Sequence, residues 1–393
     1  MTSPKSSTSK RRPARAPRGK SDVRNPREYL DNLTLARKEG WRDMVDAPTL
    51  DRPEALSHKQ LRHLGAAASE DYNDQRRRWH AQMGTVMTAE CQSVLEQLED
   101  FVACNCQTGE DTKPMIALSG LPGLGKSTVS RVFGKRLHRK HIDRYGATTR
   151  AGDERWPVCR IGMTASTGTR EFNAALCDFY AHPGGQRASA QQLLRHALDD
   201  VSSCETRLRI IDDLHFLRGR RERMTDLSNQ FKYIANEFPL TVLLIGIGLH
   251  ERNALLDDRN AYRDHEMEQL LRCTTPVDMS PFKVDTEKQR QRWRDLLLTL
   301  EQRLLLTQKY PGMLADDLSD QLFVRSTGHI GSLMALIRLG CQKAMRTGTE
   351  KLTVELLESC RIDSAAELGR RELHAAFRTG KKTTRLRTTP KPP

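Results

Sequence analysis

The sequence predicts an α/β protein with a parallel sheet, followed by an all-α domain. Three observations predict this class. An apolar run at 115–118 leads directly into the phosphate-loop pattern G-x-x-x-x-G-K-S, three further apolar runs alternate with helical patterns, and strand patterns stop after Pro281. Strands that alternate with helices form a parallel sheet with right-handed crossovers. The helical patterns after Pro281 predict a separate domain in contact with the nucleotide end of the sheet.

Each element follows from its hydrophobic period. Strands are predicted at 115–118, 158–163, 208–211 and 240–245, with a last strand after Arg272. Core helices are predicted at 129–137, 170–180, 189–201 and 222–238, and helices of the C-terminal domain at 288–306, 314–323, 330–345, 354–360 and 364–377.

Three helical patterns precede the first strand, at 25–46, 57–83 and 88–104. The last of these has apolar residues at helical spacing and is expected to pack on the nucleotide core. The predicted organisation is a basic tail at 1–25, a helical N-terminal segment at 26–85, an α/β nucleotide-binding domain at 86–282, an α-helical lid domain at 283–377 and a second basic tail at 378–393.

Charge is concentrated at the two ends of the 393-residue chain. Residues 1–20 hold seven Lys or Arg and residues 380–393 hold five, both without an acid, which accounts for all but 2 of the net charge of +14. Rich in Ser, Thr and Pro, both ends are expected to be disordered. They could grip nucleic acid or an acidic partner, or be solvated tails without a partner.

Hydropathy and cysteine usage bear on location. We expect no membrane span, because no run approaches 18 apolar residues, and no secretory signal, because the N-terminus lacks an apolar region. The nine cysteines lack zinc-ligand spacing and are expected to be reduced thiols. A cytoplasmic protein is the expectation.

The loop after the first strand predicts nucleotide binding. Its glycines allow backbone N–H groups to point at phosphate oxygens, Lys126 would reach the β- and γ-phosphates, and Ser127 would bind Mg²⁺. The alternative is a glycine-rich turn that matches by chance. The predicted nucleotide-binding residues are Gly120, Leu121, Pro122, Gly123, Leu124, Gly125, Lys126, Ser127 and Thr128.

A second half of the site is predicted where the apolar run 208–211 ends in Asp212 and Asp213. Asp212 would hold Mg²⁺ together with Ser127, and Asp213 would orient the attacking water as a general base. Many buried strands end in an acid, so this pattern alone is weak evidence for a magnesium site. It is stronger here because it follows a complete phosphate loop.

Taken together, these motifs resemble those of an AAA+ ATPase, and several stretches resemble the TniB/TnsC family of transposition-regulator ATPases. The resemblance extends from about residue 75 to 350 and rests mainly on the order of its segments. They are Arg78-Trp79-His80, the helix from Thr88, Ile-Asp-Asp-Leu-His-Phe at 211–216, Leu244-Ile245-Gly246 and Gly328-His329-Ile330-Gly331.

The resemblance implies ATP and Mg²⁺ as cofactors. It also implies a homo-oligomer, ring or helical filament, on double-stranded DNA, which connects a target-selector protein to a transposase. An arginine from the neighbouring subunit would complete the ATP site and stabilise charge on the transferring phosphoryl group. Arg272 is the candidate, Arg263 is the second choice, and an ordinary surface arginine is the alternative.

Three positions depart from the family pattern. Asp213 stands where the family usually has Glu, and its shorter side chain would hold water less closely, which suggests slow hydrolysis. The strand before Gly248 ends in Gly-Ile-Gly, so no sensor residue is assigned there. No arginine adjoins Gly328, and His329 is the nearest polar group that could act as a second sensor.

DNA contacts are expected to be to phosphates and independent of sequence, since no helix-turn-helix, zinc-finger or RNA-binding motif is found. One group of candidates lies on the helix that follows the phosphate loop, and the other lies in the turn before the next helix. The first group could instead be the solvated face of its helix. They are Lys135, Arg136, Arg139, Lys140, Thr167, Thr169 and Arg170.

Three other functions share the phosphate loop. A helicase loader or replication-initiator-like ATPase would keep the whole core and act on a different partner. A small-molecule P-loop kinase would need an acceptor pocket and a short mobile lid rather than a helical domain of about a hundred residues. A signalling NTPase switch would lack DNA-dependent assembly.

Overall fold

A computed structural model describes residues 34–106, 112–164, 167–184, 188–214, 221–247 and 273–386. Their sheet consists of β1 (Met115–Ser119), β2 (Val158–Gly162), β3 (Leu208–Asp212), β4 (Thr241–Gly246) and β5 (Thr274–Asp278). The strand order is β2-β3-β4-β1-β5, and every neighbouring pair is parallel. The predicted parallel α/β core is therefore confirmed. Because β1 and β3 both end at the same edge, the loop after β1 and the acids after β3 meet there.

Helices cover the sheet, and β1, β3 and β4 are buried along their whole lengths. This burial explains why these strands are apolar runs rather than alternating patterns. The helix that follows the phosphate loop is longer than predicted, running to Tyr145. The core helices are α4 (Ala89–Asn105), α5 (Lys126–Tyr145), α6 (Thr169–Tyr180), α7 (Ala190–Ser203) and α8 (Arg221–Glu237).

A helical domain with its own hydrophobic core follows β5. Its helices are α9 (Glu287–Arg303), α10 (Ser319–Ser326), α11 (Ile330–Thr347), α12 (Val354–Glu358) and α13 (Ser364–Arg378). The predicted helix 314–323 differs, because a π-helix (Met313–Asp317) precedes α10. The buried Glu301 carboxylate accepts hydrogen bonds from the N–H groups of Gly312 and Leu314, both at 2.8 Å, and so holds the start of this wider helical turn.

The N-terminal helices pack on both domains. They are α1 (Lys38–Asp46), α2 (His58–His63) and α3 (Ala66–Ala81). Trp41 of α1 is fully buried in the core of the α/β domain, whereas Arg76 of α3 forms a buried ion pair with Glu350 of the helical domain at 2.7 Å. The predicted helix 57–83 is two helices, because Leu64 has an extended backbone with ψ of 136°. This segment therefore connects the two domains.

The chain after α13 turns back onto the helical domain. Thr384 is buried, and its N–H and hydroxyl donate to the Asp320 carboxylate at 2.7 and 2.6 Å. Lys382 forms an ion pair with Asp285 at 2.8 Å. The first part of the expected basic tail at 378–393 is thus bound to the protein as far as residue 386. Among the helices in the described ranges, none has the length and hydropathy needed to cross a membrane.

Candidate nucleotide-binding site

The phosphate loop has the backbone that its glycines predict. Gly125 caps the start of α5 with φ of 91°, a left-handed conformation that glycine adopts without a steric cost. Gly123 also has positive φ, 76°. Because α5 starts directly after this turn, its free N–H groups and its positive dipole end face the space inside the loop. The turn is therefore built to receive an anion.

Lys126 lies inside the loop and is buried. Its ammonium group donates to the carbonyl oxygens of Gly120 and Leu121, both at 2.7 Å. Burial lowers the pKa of Lys126, while the charges of Asp212 and Asp213 oppose that shift. A phosphate that entered the loop would compete with these two carbonyls for the ammonium group.

Asp212 is almost fully buried at the end of β3. Its Oδ1 accepts a hydrogen bond from the Ser127 hydroxyl at 3.1 Å and another from the N–H of Asp213 at 3.0 Å. Carboxylate and hydroxyl oxygens are the ligands that Mg²⁺ prefers beside phosphates. The donor set of Ser127 and Asp212 therefore fits this ion, and these two side chains would hold it.

Asp213 has a left-handed backbone, with φ of 63°. This conformation is uncommon outside glycine, but Asp and Asn tolerate it better than longer side chains do. The side chain is partly exposed and faces the same cavity as Lys126. Its position suits an acceptor for a water proton.

These groups surround one cavity of about 420 Å³, within the size range of small-molecule sites. Phosphate-loop residues, both acids and the end of β4 line it, and Gly331 closes it from the helical domain. Three of the predicted nucleotide-binding residues do not line it: Gly120, Leu121 and Leu124. Leu124 is buried in the hydrophobic core, and Leu121 is 46% exposed.

The helical domain touches the phosphate loop through its backbone. The N–H of Gly331 donates to the carbonyl oxygen of Gly123 at 2.8 Å. A Cβ on Gly331 would lie 2.9 Å from that oxygen, so the contact requires glycine. His329, predicted as the nearest polar group, bonds instead through Nδ1 to Thr327, with its hydroxyl at 3.0 Å. The lid therefore meets the site at Gly331.

Arg160 is a site residue that the sequence did not reveal. It lies on β2, and its guanidinium donates to Oδ2 of Asp212 at 2.8 Å, forming an ion pair. An arginine inside an otherwise apolar strand is a signal in the sequence, because a buried charge needs a partner. The identity of the partner depends on β2 lying beside β3, which the pattern did not fix.

Two of the four predicted DNA-binding residues on α5 have another role. Lys135 donates to the carbonyl of Met44 at 3.0 Å, and Arg139 donates to that of Val45. These are carbonyls of the last turn of α1, which lack partners within their own helix. Lys135 and Arg139 therefore hold α1 in place rather than forming a freely solvated helix face.

Arg136 and Lys140 line a second cavity of about 710 Å³, together with Arg144 and Arg207. Lys140 is 14 residues into α5, about 21 Å along the helix from Lys126. In the other predicted region, Thr167 is buried and its hydroxyl accepts from the N–H of Thr164 at 2.9 Å. Thr169 begins α6, and Arg170 follows it. The predicted finger residues Arg263 and Arg272 lie outside the described residues.

Comparison with known proteins agrees with this geometry. Residues 109–255 match the family model described as an AAA domain. This match includes the phosphate loop, Asp212 and Asp213, and the chain has the α/β core and helical C-terminal region of an AAA+ ATPase fold. Comparison with the sequences of curated proteins finds no match.

Several solved structures are similar to this one over most of the length of the chain. The Aeropyrum pernix ORC1 protein in complex with DNA is 17% identical with a TM-score of 0.52, covering 77% of this chain and 70% of that one. The ORC2 protein of the same organism, in ADPNP-ADP complexes, is 14% identical with a TM-score of 0.47, covering 86% and 83%. Cdc6p from Pyrobaculum aerophilum is 12% identical with a TM-score of 0.48, covering 78% and 84%. At such identities, the ORC1 similarity supports the fold alone.

Proposed function

We propose that this protein is a cytoplasmic ATPase that regulates transposition. In the ATP state it assembles as a homo-oligomer, ring or helical filament, on double-stranded DNA without sequence choice. There it links a target-selector protein to a transposase, and hydrolysis disassembles it. The observation that carries the nucleotide part is the meeting of Lys126, Ser127, Asp212 and Asp213 at one cavity. The role in transposition rests on the ordered motifs that resemble the TniB/TnsC family.

Each polar group has a role in this proposal. Lys126 exchanges its two carbonyl partners for phosphate oxygens, which draws the loop around the phosphates. Ser127 and Asp212 would hold Mg²⁺, which when bound would supply charge stabilisation for the phosphoryl group. Asp213 orients water and accepts its proton. Arg272 of a neighbouring subunit completes the site.

Through the contact between Gly331 and the phosphate loop, nucleotide binding would affect the position of the helical domain. Gly331 binds the same loop that closes on the phosphates, so the position of the helical domain depends on the loop. Helices α1 and α3 bind opposite domains and would follow that movement. We infer that the ATP state sets the domain arrangement that assembles.

Electron microscopy of the protein with duplex DNA tests the proposal. Samples contain ATP, ADP or no nucleotide, and Lys126→Ala serves as the matched control that keeps the chain but removes the phosphate-binding ammonium group. Rings or filaments with ATP alone are expected. Binding of DNA should also weaken steeply between low and physiological salt, because phosphate contacts release counterions.

Two results would contradict the proposal. Assembly that is equal in all nucleotide states would remove the role of ATP, and a flat salt response would remove phosphate contacts. Phosphorylation of a small metabolite without any effect of DNA would point instead to a kinase.

A replication-initiator or helicase-loader role is the second candidate. The observation that favours it is the fold shared with the ORC1 protein of Aeropyrum pernix, whose structure was solved in complex with DNA. Binding assays with purified partners separate the two roles. ATP-dependent binding to a transposase supports the first, and binding to a helicase without transposase binding supports the second.

A further inference from the structure

Asp212 has a counter-ion, Arg160, on the neighbouring strand β2. The Arg160 guanidinium lies 2.8 Å from Oδ2, and the Asp212 side chain is 2% exposed. The hydrogen bonds from Ser127 and Asp213 go to the other oxygen, Oδ1. Burying an unpaired carboxylate is costly, so Arg160 stabilises the ionised acid when no metal is present.

A second guanidinium lies close by. Arg131, one turn into α5, donates through Nε to the carbonyl oxygen of Ser127 at 3.1 Å. Burial lowers the pKa of Arg131, the charge of Arg160 lowers it further, and the charge of Asp212 opposes the shift. With Lys126 inside the loop, three cationic side chains surround the predicted magnesium ligands. Such a site attracts phosphate and repels a free divalent cation.

We propose that Arg160 is a positioning residue that takes the place of Mg²⁺ at Asp212 until nucleotide binds. The free protein then has little affinity for Mg²⁺, and nucleotide can bind without the metal because the cations already match the phosphates. Mg²⁺ enters with or after the nucleotide, whose negative charge offsets the two guanidinium groups. The inference rests on the proposed function only in requiring that this cavity binds nucleotide.

A purely structural role for Arg160 makes a different prediction. An ion pair that only stabilises the fold would, when removed, weaken nucleotide binding equally with and without Mg²⁺. The distinguishing quantity is therefore the ratio of the two dissociation constants, measured with Mg²⁺ and with a chelator. A variant that is only less stable would change both dissociation constants by the same factor and leave their ratio unchanged. The ratio changes only if the charge of Arg160 affects Mg²⁺ binding.

Fluorescent ADP binding with Mg²⁺ and with EDTA tests the proposal. For the natural protein we expect the two dissociation constants to differ by less than about tenfold. In Arg160→Gln, binding in EDTA weakens and the Mg²⁺ concentration that gives half-maximal binding falls about tenfold, because one positive charge is gone. Arg160→Lys, which keeps the charge, should behave like the natural protein.

Arg155→Gln is the matched control. Arg155 is a buried arginine of the same domain, paired with Glu205 at 2.9 Å, away from the nucleotide cavity. Its removal should lower the melting temperature and leave the Mg²⁺ dependence unchanged. Melting of the natural protein gives a second measurement that needs no variant. Mg²⁺ alone should not raise its melting temperature, and ADP alone should.

The failures of the two proposals are distinguishable. Absence of nucleotide binding to the natural protein with Mg²⁺ would overturn the proposed function. Nucleotide binding whose Mg²⁺ dependence is the same in Arg160→Gln would overturn the inference about Arg160 alone, as would stabilisation of the free protein by Mg²⁺.

Discussion

At the scale of single residues, the backbone explains why an aspartate suits position 213. Its φ of 63° places it in the left-handed region, where a Glu side chain is less favourable. The N–H of Asp213 donates to Oδ1 of Asp212, so the peptide unit that carries the predicted water-orienting acid also holds the predicted metal ligand. The two acids are therefore joined by a hydrogen bond from the backbone of one to the side chain of the other.

Asp213→Asn is the sharpest variant at this scale. Asn tolerates the left-handed backbone as Asp does, but its amide cannot accept the proton of water. We expect nucleotide affinity and melting temperature to stay the same while hydrolysis falls by about a hundredfold or more. Phosphate release and fluorescent nucleotide binding measure the two effects. Undiminished hydrolysis would show that Asp213 is not the base.

At the scale of elements, α1 depends on a neutral histidine of α5. The Trp41 indole N–H donates to Nδ1 of His138 at 3.2 Å, and both rings are buried. Burial, together with the positive charges of Arg42 and His141, lowers the pKa of His138 to about 4. Only the neutral ring can accept the bond from Trp41.

The stability of this contact should therefore depend on pH. Between the ordinary histidine pKa of about 6.5 and the folded value of about 4, the unfolded chain takes up a proton that the folded protein does not. Stability is fully present above this window and is lost as pH falls through it. At pH 5 the loss from His138 is about 2 kcal/mol.

His138→Gln isolates this effect, because the Gln side chain can still accept from Trp41 but does not titrate. The advantage of the natural protein over this variant should shrink by about 2 kcal/mol between pH 7 and pH 5. Denaturant unfolding at both pH values measures it. His374→Gln, at an exposed position on α13, is the control and should show no such change. A pH-independent difference for His138→Gln would contradict the prediction.

At the scale of the whole molecule, one backbone hydrogen bond connects the lid to the phosphate loop. A Cβ on Gly331 would lie 2.9 Å from the Gly123 oxygen and 3.1 Å from its Cα, and backbone atoms cannot rotate away as a side chain could. The domains must therefore separate locally when any side chain is added there.

Gly331→Ala should weaken nucleotide binding about tenfold or more, because the displaced lid no longer holds the loop, a cost of roughly 1–3 kcal/mol. Gly65→Ala is the control, since its added Cβ would meet no atom within 4 Å. Calorimetry with ADP measures both variants. Equal nucleotide affinity in the two would show that the lid contact does not support the site.

The sequence by itself determined the local features. The phosphate loop, the acids at 212 and 213 and the positions of most helices follow from short patterns, because backbone conformation and hydrophobic period are decided by near neighbours. The parallel class of the sheet also followed from the alternation of strands and helices. The π-helix did not, since it depends on the buried Glu301 carboxylate, which accepts hydrogen bonds from the N–H groups of Gly312 and Leu314. The break at Leu64, where the backbone becomes extended, was not predicted either.

The tertiary structure alone decided which side chains meet. Strand order brings Arg160 of β2 to Asp212 of β3. The packing of α1 against α5 places two α1 carbonyls where Lys135 and Arg139 donate to them, so these side chains do not form a free surface. The close approach of Gly331 to Gly123 depends on how two domains pack. These partners are distant in sequence, and no short pattern records a contact whose energy depends on the completed fold.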